Sequence, residues 1–271
     1  MTDFLHAPFT REFIRTVSDM YARGWDERNG GNLSLLLTEE EIRPYVDPRR
    51  VLRRFPVDFS AEDMAGRYLL VTATGRHFRT IPDDPEGSLG LLRPAPDGKS
   101  AELLWGFAGG GAPTSELAAH ILGHAARLAV DPAQRVLAHS HPANLVAMSH
   151  VHPLEDRAFT RTLWQMLTEC FIVFPDGIGV LPWMLCGTPD IARATADKLK
   201  SSRLVLWALH GIYGAGPSLE EAFGLIETAE KAAGIYLQTA SLPRLQSITD
   251  ADFHALERRF DLHAREGFLA D

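Results

Sequence analysis

Residues 135–144 read RVLAHSHPAN. Val136, Leu137 and Ala138 are an apolar run that fits a buried β-strand, and Pro142 lacks the N–H that would continue a ladder. Side chains two apart on a strand project to one face, so His139 and His141 point the same way at the strand's C-terminal end. α/β folds commonly place their sites at that end. Imidazole is a favoured zinc ligand, and catalytic zinc typically keeps three protein ligands and an open position. The plain alternative is that both rings are solvated or satisfied by hydrogen bonds, because H-x-H alone is a weak motif.

The flanking sequence alternates between helix and strand patterns. Before the motif, TSELAAHILGHAARLAV (114–130) predicts a helix with Thr114 or Ser115 as N-cap and Asp131-Pro132 beyond its end. After it, 143–150 and 158–170 predict helices, and FIVFPDGIGVLP (171–182) predicts a strand and turn. Thr188 caps a helix over 188–200 with Pro189 at its first position. RLVLWALHG (203–211) is a buried strand, Ser218 and Glu221 read as a capping box for a helix over 218–238, and a last helix begins near 249–252.

Towards the N-terminus, residues 10–23 put Phe13, Ile14, Val17 and Tyr21 on one helical face. WDERNGGN (25–32) is a polar, glycine-bearing turn before the strand LSLLL (33–37), and 43–66 reads as irregular surface. RYLLVTATG (67–75) is a strand, and 89–106 a hairpin turning on Pro96-Asp97-Gly98. Such alternation gives an α/β or α+β class, with residues 1–271 as one domain.

His210 closes an apolar strand and precedes a glycine, which repeats the setting of the first pair and supplies a third ligand. His150 and His152 form another H-x-H, but they follow a helix and lack an apolar strand, so they read as surface. Glu116, His120 and His124 share a helix face at spacing four, which could also bind metal, although that face must also pack.

Composition narrows the function classes. The formal net charge of −8 provides no basic field for nucleic acid or an anionic membrane, so a phosphorylated substrate would need local donors. Two cysteines, Cys170 and Cys186, exclude a disulfide scaffold and fit a reducing compartment. MTDFLHAPFTREF does not read as a secretory signal, and no run approaches the ~20 apolar residues of a membrane span. A cytoplasmic protein is expected.

Asn29-Gly30-Gly31-Asn32 offers backbone N–H groups and amides to an anion, although the same residues serve equally as a plain turn. Thr74-Gly75 is similarly ambiguous, and Ser115 would sit in a first helical turn that favours phosphate. Glu116, in the same turn, is either a complement to the helix dipole or a carboxylate base. Glu169, in TEC before an apolar strand, carries the same two readings.

WDERNGGNLS, PTSELAAH, AHSHPAN, FIVFPDGIGVLPWM and LHGIYGAGPSLEEAFGLIETAEK, in this order and spacing, resemble the class II aldolase/adducin family. The likeness runs from about residue 10 to 240; the last 30 residues resemble the family poorly, and no role is inferred there. The resemblance implies a three-layer α/β/α sandwich around a mixed, largely antiparallel sheet. It implies one Zn2+ per subunit on His139, His141 and His210, with Glu116 as the catalytic acid/base. It implies that Asn29, Gly31, Asn32, Thr74, Gly75 and Ser115 cradle the phosphate of dihydroxyacetone phosphate. It further implies a C4 homotetramer in which Glu169 reaches a neighbouring subunit's site. One departure stands out: the family's glycine-rich G-S-G type segment is here Ala73-Thr74-Gly75, which keeps a hydroxyl.

The expected activity is reversible aldol cleavage of a phosphorylated ketose through an enediolate, with the metal as Lewis acid. Nothing in the sequence marks a Schiff-base lysine. A phosphosugar 4-epimerase would share this chemistry, an interaction module would have lost the ligands, and a structural zinc would need a fourth ligand such as Cys170.

Overall fold

In the computed structural model, which describes residues 3–270, the strand expected at 135–141 runs over Val136–Ser140 inside a nine-stranded mixed sheet. In chain order the strands are β1 (Asn32–Leu37), β2 (Arg53–Pro56), β3 (Tyr68–Thr72), β4 (Leu89–Pro94), β5 (Ser100–Gly106), β6 (Val136–Ser140), β7 (Ile178–Leu181), β8 (Leu204–Trp207) and β9 (Gly211–Gly216). Their spatial order is β2-β5-β4-β3-β1-β6-β9-β8-β7, and only the β7–β8 pair is parallel. The helices are α1 (Pro8–Ala22), α2 (Glu39–Ile42), α3 (Pro85–Ser88), α4 (Leu117–Val130), α5 (Ala143–Val151), α6 (Asp156–Met166), α7 (Thr168–Val173), α8 (Pro189–Leu199), α9 (Leu219–Thr239) and α10 (Asp250–Phe260).

Strand alternation builds the layers. Leu33, Leu35 and Leu37 of β1, with Val136 and Ala138 of β6, pack with Val17, Met148, Leu163, Phe171 and Ile226 of α1, α5, α6, α7 and α9. Leu36 faces the other way, towards Leu117 and Ile121 of α4, and Leu137 packs there with Ile191 and Leu199 of α8. The result is the three-layer α/β/α arrangement around a largely antiparallel sheet. Each leucine so buried contributes roughly 1.5–3 kcal/mol. The C-terminal α10 closes the first layer, with Phe253 4.8 Å from the Phe171 ring and 5.8 Å from Trp164.

Several local expectations change. Residues 171–173 are helical, the end of α7, because Phe171 packs against Trp164 and Phe253; the strand is only Ile178–Leu181. Helix α4 starts at Leu117 with Glu116 as N-cap. The Thr114 N–H is held by the Thr72 carbonyl at 3.0 Å, so Thr114 belongs to the sheet edge and Ser115 precedes the helix. Thr188 is an N-cap whose hydroxyl donates to the Leu185 carbonyl instead of capping.

Ser218 accepts from the Glu221 N–H, but the Glu221 carboxylate faces Arg203 at 3.6 Å, so only half of a capping box forms. Thr249 and Asp252 form a complete one. The segment 43–66 contains the edge strand β2, paired with β5. The strand at 203–211 stops at Trp207, and His210 lies in the turn leading into β9, a strand not anticipated.

Candidate functional site

Three neighbouring strands line up the site. In β1, Asn32 is registered opposite His139 of β6, and His139 is opposite Tyr213 of β9. His141 follows the end of β6, and the β8–β9 turn presents His210. The ligating atoms of His139, His141 and His210 all lie within 4.8 Å of one another. Glu116 descends onto this row from the head of α4. Its Oε2 accepts from Asn32 Nδ2 at 3.0 Å and from the Tyr213 hydroxyl at 2.8 Å, and lies 3.6 Å from His139 Nε2.

The hydrogen bonds and burial prepare these rings for a cation. His139 Nδ1–H donates to the Ile212 carbonyl at 3.0 Å, which leaves Nε2 as a lone pair. That Nε2 is buried and has no hydrogen-bond partner. Burial holds the His139 pKa well below the ordinary value, with His141 and His210 adding to the effect, and burial lowers His210 as well. Both rings are therefore neutral near pH 7, and the His139–Glu116 approach is not an ion pair. His141 directs Nδ1 to Glu27 Oε1 at 3.0 Å, the usual way a ligand imidazole is oriented by a carboxylate. Neutral imidazoles beside a carboxylate fit a divalent transition metal.

Among the described residues, His120 and His124 do not gather with Glu116 into a possible ligand group; they brace Asn32 instead. The Asn32 carbonyl oxygen can only accept, so His120 Nε2–H donates to it. His120 Nδ1 then accepts from the Ser34 hydroxyl at 2.6 Å, and Ser34 accepts from His124 Nε2 at 2.8 Å. Complete burial lowers the His120 pKa to about 4 and keeps His124 neutral too. This chain fixes the Asn32 amide so that its NH2 faces Glu116.

Asn29, Gly31, Asn32, Thr74, Gly75, Ser115, Glu116 and the three histidines line one cavity of about 180 Å3, together with Gly30, Ala73 and Thr114. Gly31 has φ +76°, and a Cβ there would fall 1.9 Å from Asp26 Oδ1. Only glycine lets this loop pass between the carboxyl and the cavity. Neither lysine nor arginine lines the cavity among the described residues, so the donors it offers are amides, hydroxyls and imidazoles.

Glu169 lies elsewhere, on α7, in a groove with Trp25, Asn144 and Lys231. His150 is exposed, and His152 is hydrogen-bonded to Thr162 at 2.8 Å. Cys170 is buried with its thiol towards the Thr228 carbonyl, which corrects its candidacy as a fourth ligand.

Three residues at the site went unnoticed in the sequence. Asp26 is a buried carboxyl that desolvation pushes up to about 8. Tyr213 could have been found by alternation, two residues beyond the glycine that follows His210. Cys186, exposed in the segment before α8, places its donor atom within 4.8 Å of those of Glu116 and His210; nothing in its sequence context signals that.

The family model for the Class II Aldolase and Adducin N-terminal domain matches residues 11–237. A rhamnulose-1-phosphate aldolase of Listeria innocua is 50% identical over 268 residues, covering 98% of both chains. One of Enterococcus faecalis is also 50% identical, covering 98% of this chain and 96% of its own. The family model thus ends at residue 237, in keeping with the weak family likeness expected of the last 30 residues, whereas the alignments with these two relatives extend into that segment. Among solved structures, a sugar-phosphate aldolase from Thermotoga maritima superposes with a TM-score of 0.75 at 31% identity, covering 87% of this chain and 96% of that one.

Proposed function

This chain belongs to the class II aldolase and adducin family, and we propose that it cleaves L-rhamnulose 1-phosphate reversibly to dihydroxyacetone phosphate and L-lactaldehyde. The observation that carries this reading is the Glu116 carboxylate, held by Asn32 and Tyr213 and 3.6 Å from the unpartnered Nε2 of His139. Relatives named rhamnulose-1-phosphate aldolase, at 50% identity over nearly the whole chain, support the choice of substrate.

His139, His141 and His210 would hold one divalent ion, zinc by donor chemistry, and that ion supplies Lewis-acid stabilisation of the enediolate. The remaining work falls to the chain's own groups. Asn29, Gly31, Asn32, Thr74, Gly75 and Ser115 bind the phosphate and so place the reacting carbons beside Glu116. In the condensation direction Glu116 takes the proton from the carbon next to the carbonyl; in cleavage it returns that proton to the enediolate. Asn32 and Tyr213 both donate to one carboxylate oxygen, Oε2, leaving Oε1 for that transfer.

The working form is a cytoplasmic homotetramer in which Glu169 acts in a neighbour's site. Glu169 lies outside its own subunit's cavity, in a groove with Trp25, Asn144 and Lys231, which supports this reading. Among the described residues no helix is long and apolar enough to cross a membrane.

Incubation with L-rhamnulose 1-phosphate and with its C4 epimer separates the alternatives. Release of dihydroxyacetone phosphate, faster from the former, is expected. Interconversion of the two ketose phosphates without triose release would make the protein an epimerase and overturn the proposal.

A further inference from the structure

Cys186 is exposed, follows His139 by 47 positions in the chain, and lies outside every motif discussed above. Yet its Sγ falls within 4.8 Å of both the Glu116 carboxylate and the ligating nitrogen of His210. Those two residues also line the cavity that contains His139, whose buried Nε2 has no partner. Two donor groups therefore share His210: the three histidines, and Glu116 with Cys186. Thiolate is a softer donor than imidazole or carboxylate and is a common zinc and cobalt ligand.

We propose that the Cys186 thiolate is a further ligand of the ion held by His139, His141 and His210 in the substrate-free protein, and that it yields its place when dihydroxyacetone phosphate binds. The thiol gives its proton to solvent on ligation and regains one from solvent on release. The idea rests on the metal site proposed above. Trp183 and Leu185 of the same segment are exposed as well, and Gly187, next to the thiol, lies over Ser115 at the cavity wall, its ideal Cβ position 3.5 Å from the Ser115 carbonyl oxygen. An exposed thiol on such a segment can approach the ion and withdraw without repacking the core. Substrate oxygens then need displace only one soft ligand, and the three imidazoles keep the ion.

The test uses the full chain loaded with Co2+ in place of its native metal, read by absorption spectroscopy and metal analysis. A thiolate-to-cobalt charge-transfer band in the near ultraviolet is expected beside the visible d–d bands. Cys186→Ala should lose the charge-transfer band while retaining cobalt, and dihydroxyacetone phosphate should abolish it in the unsubstituted protein. Visible bands without charge transfer would overturn the role of Cys186 and leave the histidine site standing. Charge transfer that persists in Cys186→Ala, or in the presence of dihydroxyacetone phosphate, would also overturn it. Failure to retain cobalt at all would overturn the histidine site and this inference with it. Cys186 is exposed, so its substitution does not touch the core; the comparison with and without dihydroxyacetone phosphate needs no variant.

Discussion

Glu116 shows how much of the site is decided by single hydrogen bonds. Its position as N-cap of α4 aims the carboxylate back at the sheet, and Asn32 and Tyr213 fix which oxygen is occupied. Glu116→Gln keeps the shape and removes the proposed base, so kcat should fall by about 10²–10⁴-fold with bound metal unchanged. Steady-state rates with metal analysis check this; wild-type kcat in the variant would remove Glu116 from the chemistry. Asp26 governs a different property. Its folded pKa of about 8 lies above the 3.8 of an ordinary aspartate, so the folded state keeps a proton that the unfolded chain has released. Its contribution to stability is therefore complete below about pH 4 and is lost as pH rises towards 8. His120 works in the opposite sense: with a folded pKa of about 4 against 6.5, stability is lost as pH falls below 6.5. Asp26→Asn should flatten the alkaline limb and leave the acid limb intact in denaturant titrations of metal-free protein. An unchanged alkaline limb would show that the Asp26 carboxyl is not held neutral.

At the scale of elements, the β6 strand and its histidine pair were legible from alternation and from Pro142, and so was the helix that carries Glu116. What remained hidden depends on contacts between distant segments. The helical state of 171–173 comes from Phe171 meeting Phe253, which follows it by 82 positions in the chain. The start of α4 is displaced because Thr114 pairs with Thr72, and His210 sits in a turn because β9 returns antiparallel to β8. The phosphate candidates were individually ambiguous; only the register of β1 against β6 brings the NGGN turn to the histidines. That turn makes a prediction of its own. Gly31→Ala forces a left-handed backbone and a methyl into the Asp26 carboxyl, so it should cost more than roughly 1–2 kcal/mol and raise KM. Equilibrium unfolding and kinetics on one preparation decide; a variant of native stability and unchanged KM would show that the turn tolerates a side chain and does not shape the cradle.

For the whole molecule, the sheet is the instrument that assembles the site. Asn32, His139 and Tyr213 lie side by side on three strands that the chain reaches in the order β1, β6, β9, with α4 supplying Glu116 from the layer above. With a net charge of −8 and a cavity that, among the described residues, is lined without lysine or arginine, an anionic substrate would be held by short-range donors and by the cation we propose on the three histidines. Retro-aldol activity should therefore depend on the metal. That dependence is tested most directly by following dihydroxyacetone phosphate release from L-rhamnulose 1-phosphate before chelation, after chelation, and after restoring one divalent ion per subunit, with metal content measured on the same samples. Activity should vanish with the metal and return in proportion to it. Full retro-aldol activity in the stripped protein, or its inactivation by borohydride in the presence of substrate, would contradict the account.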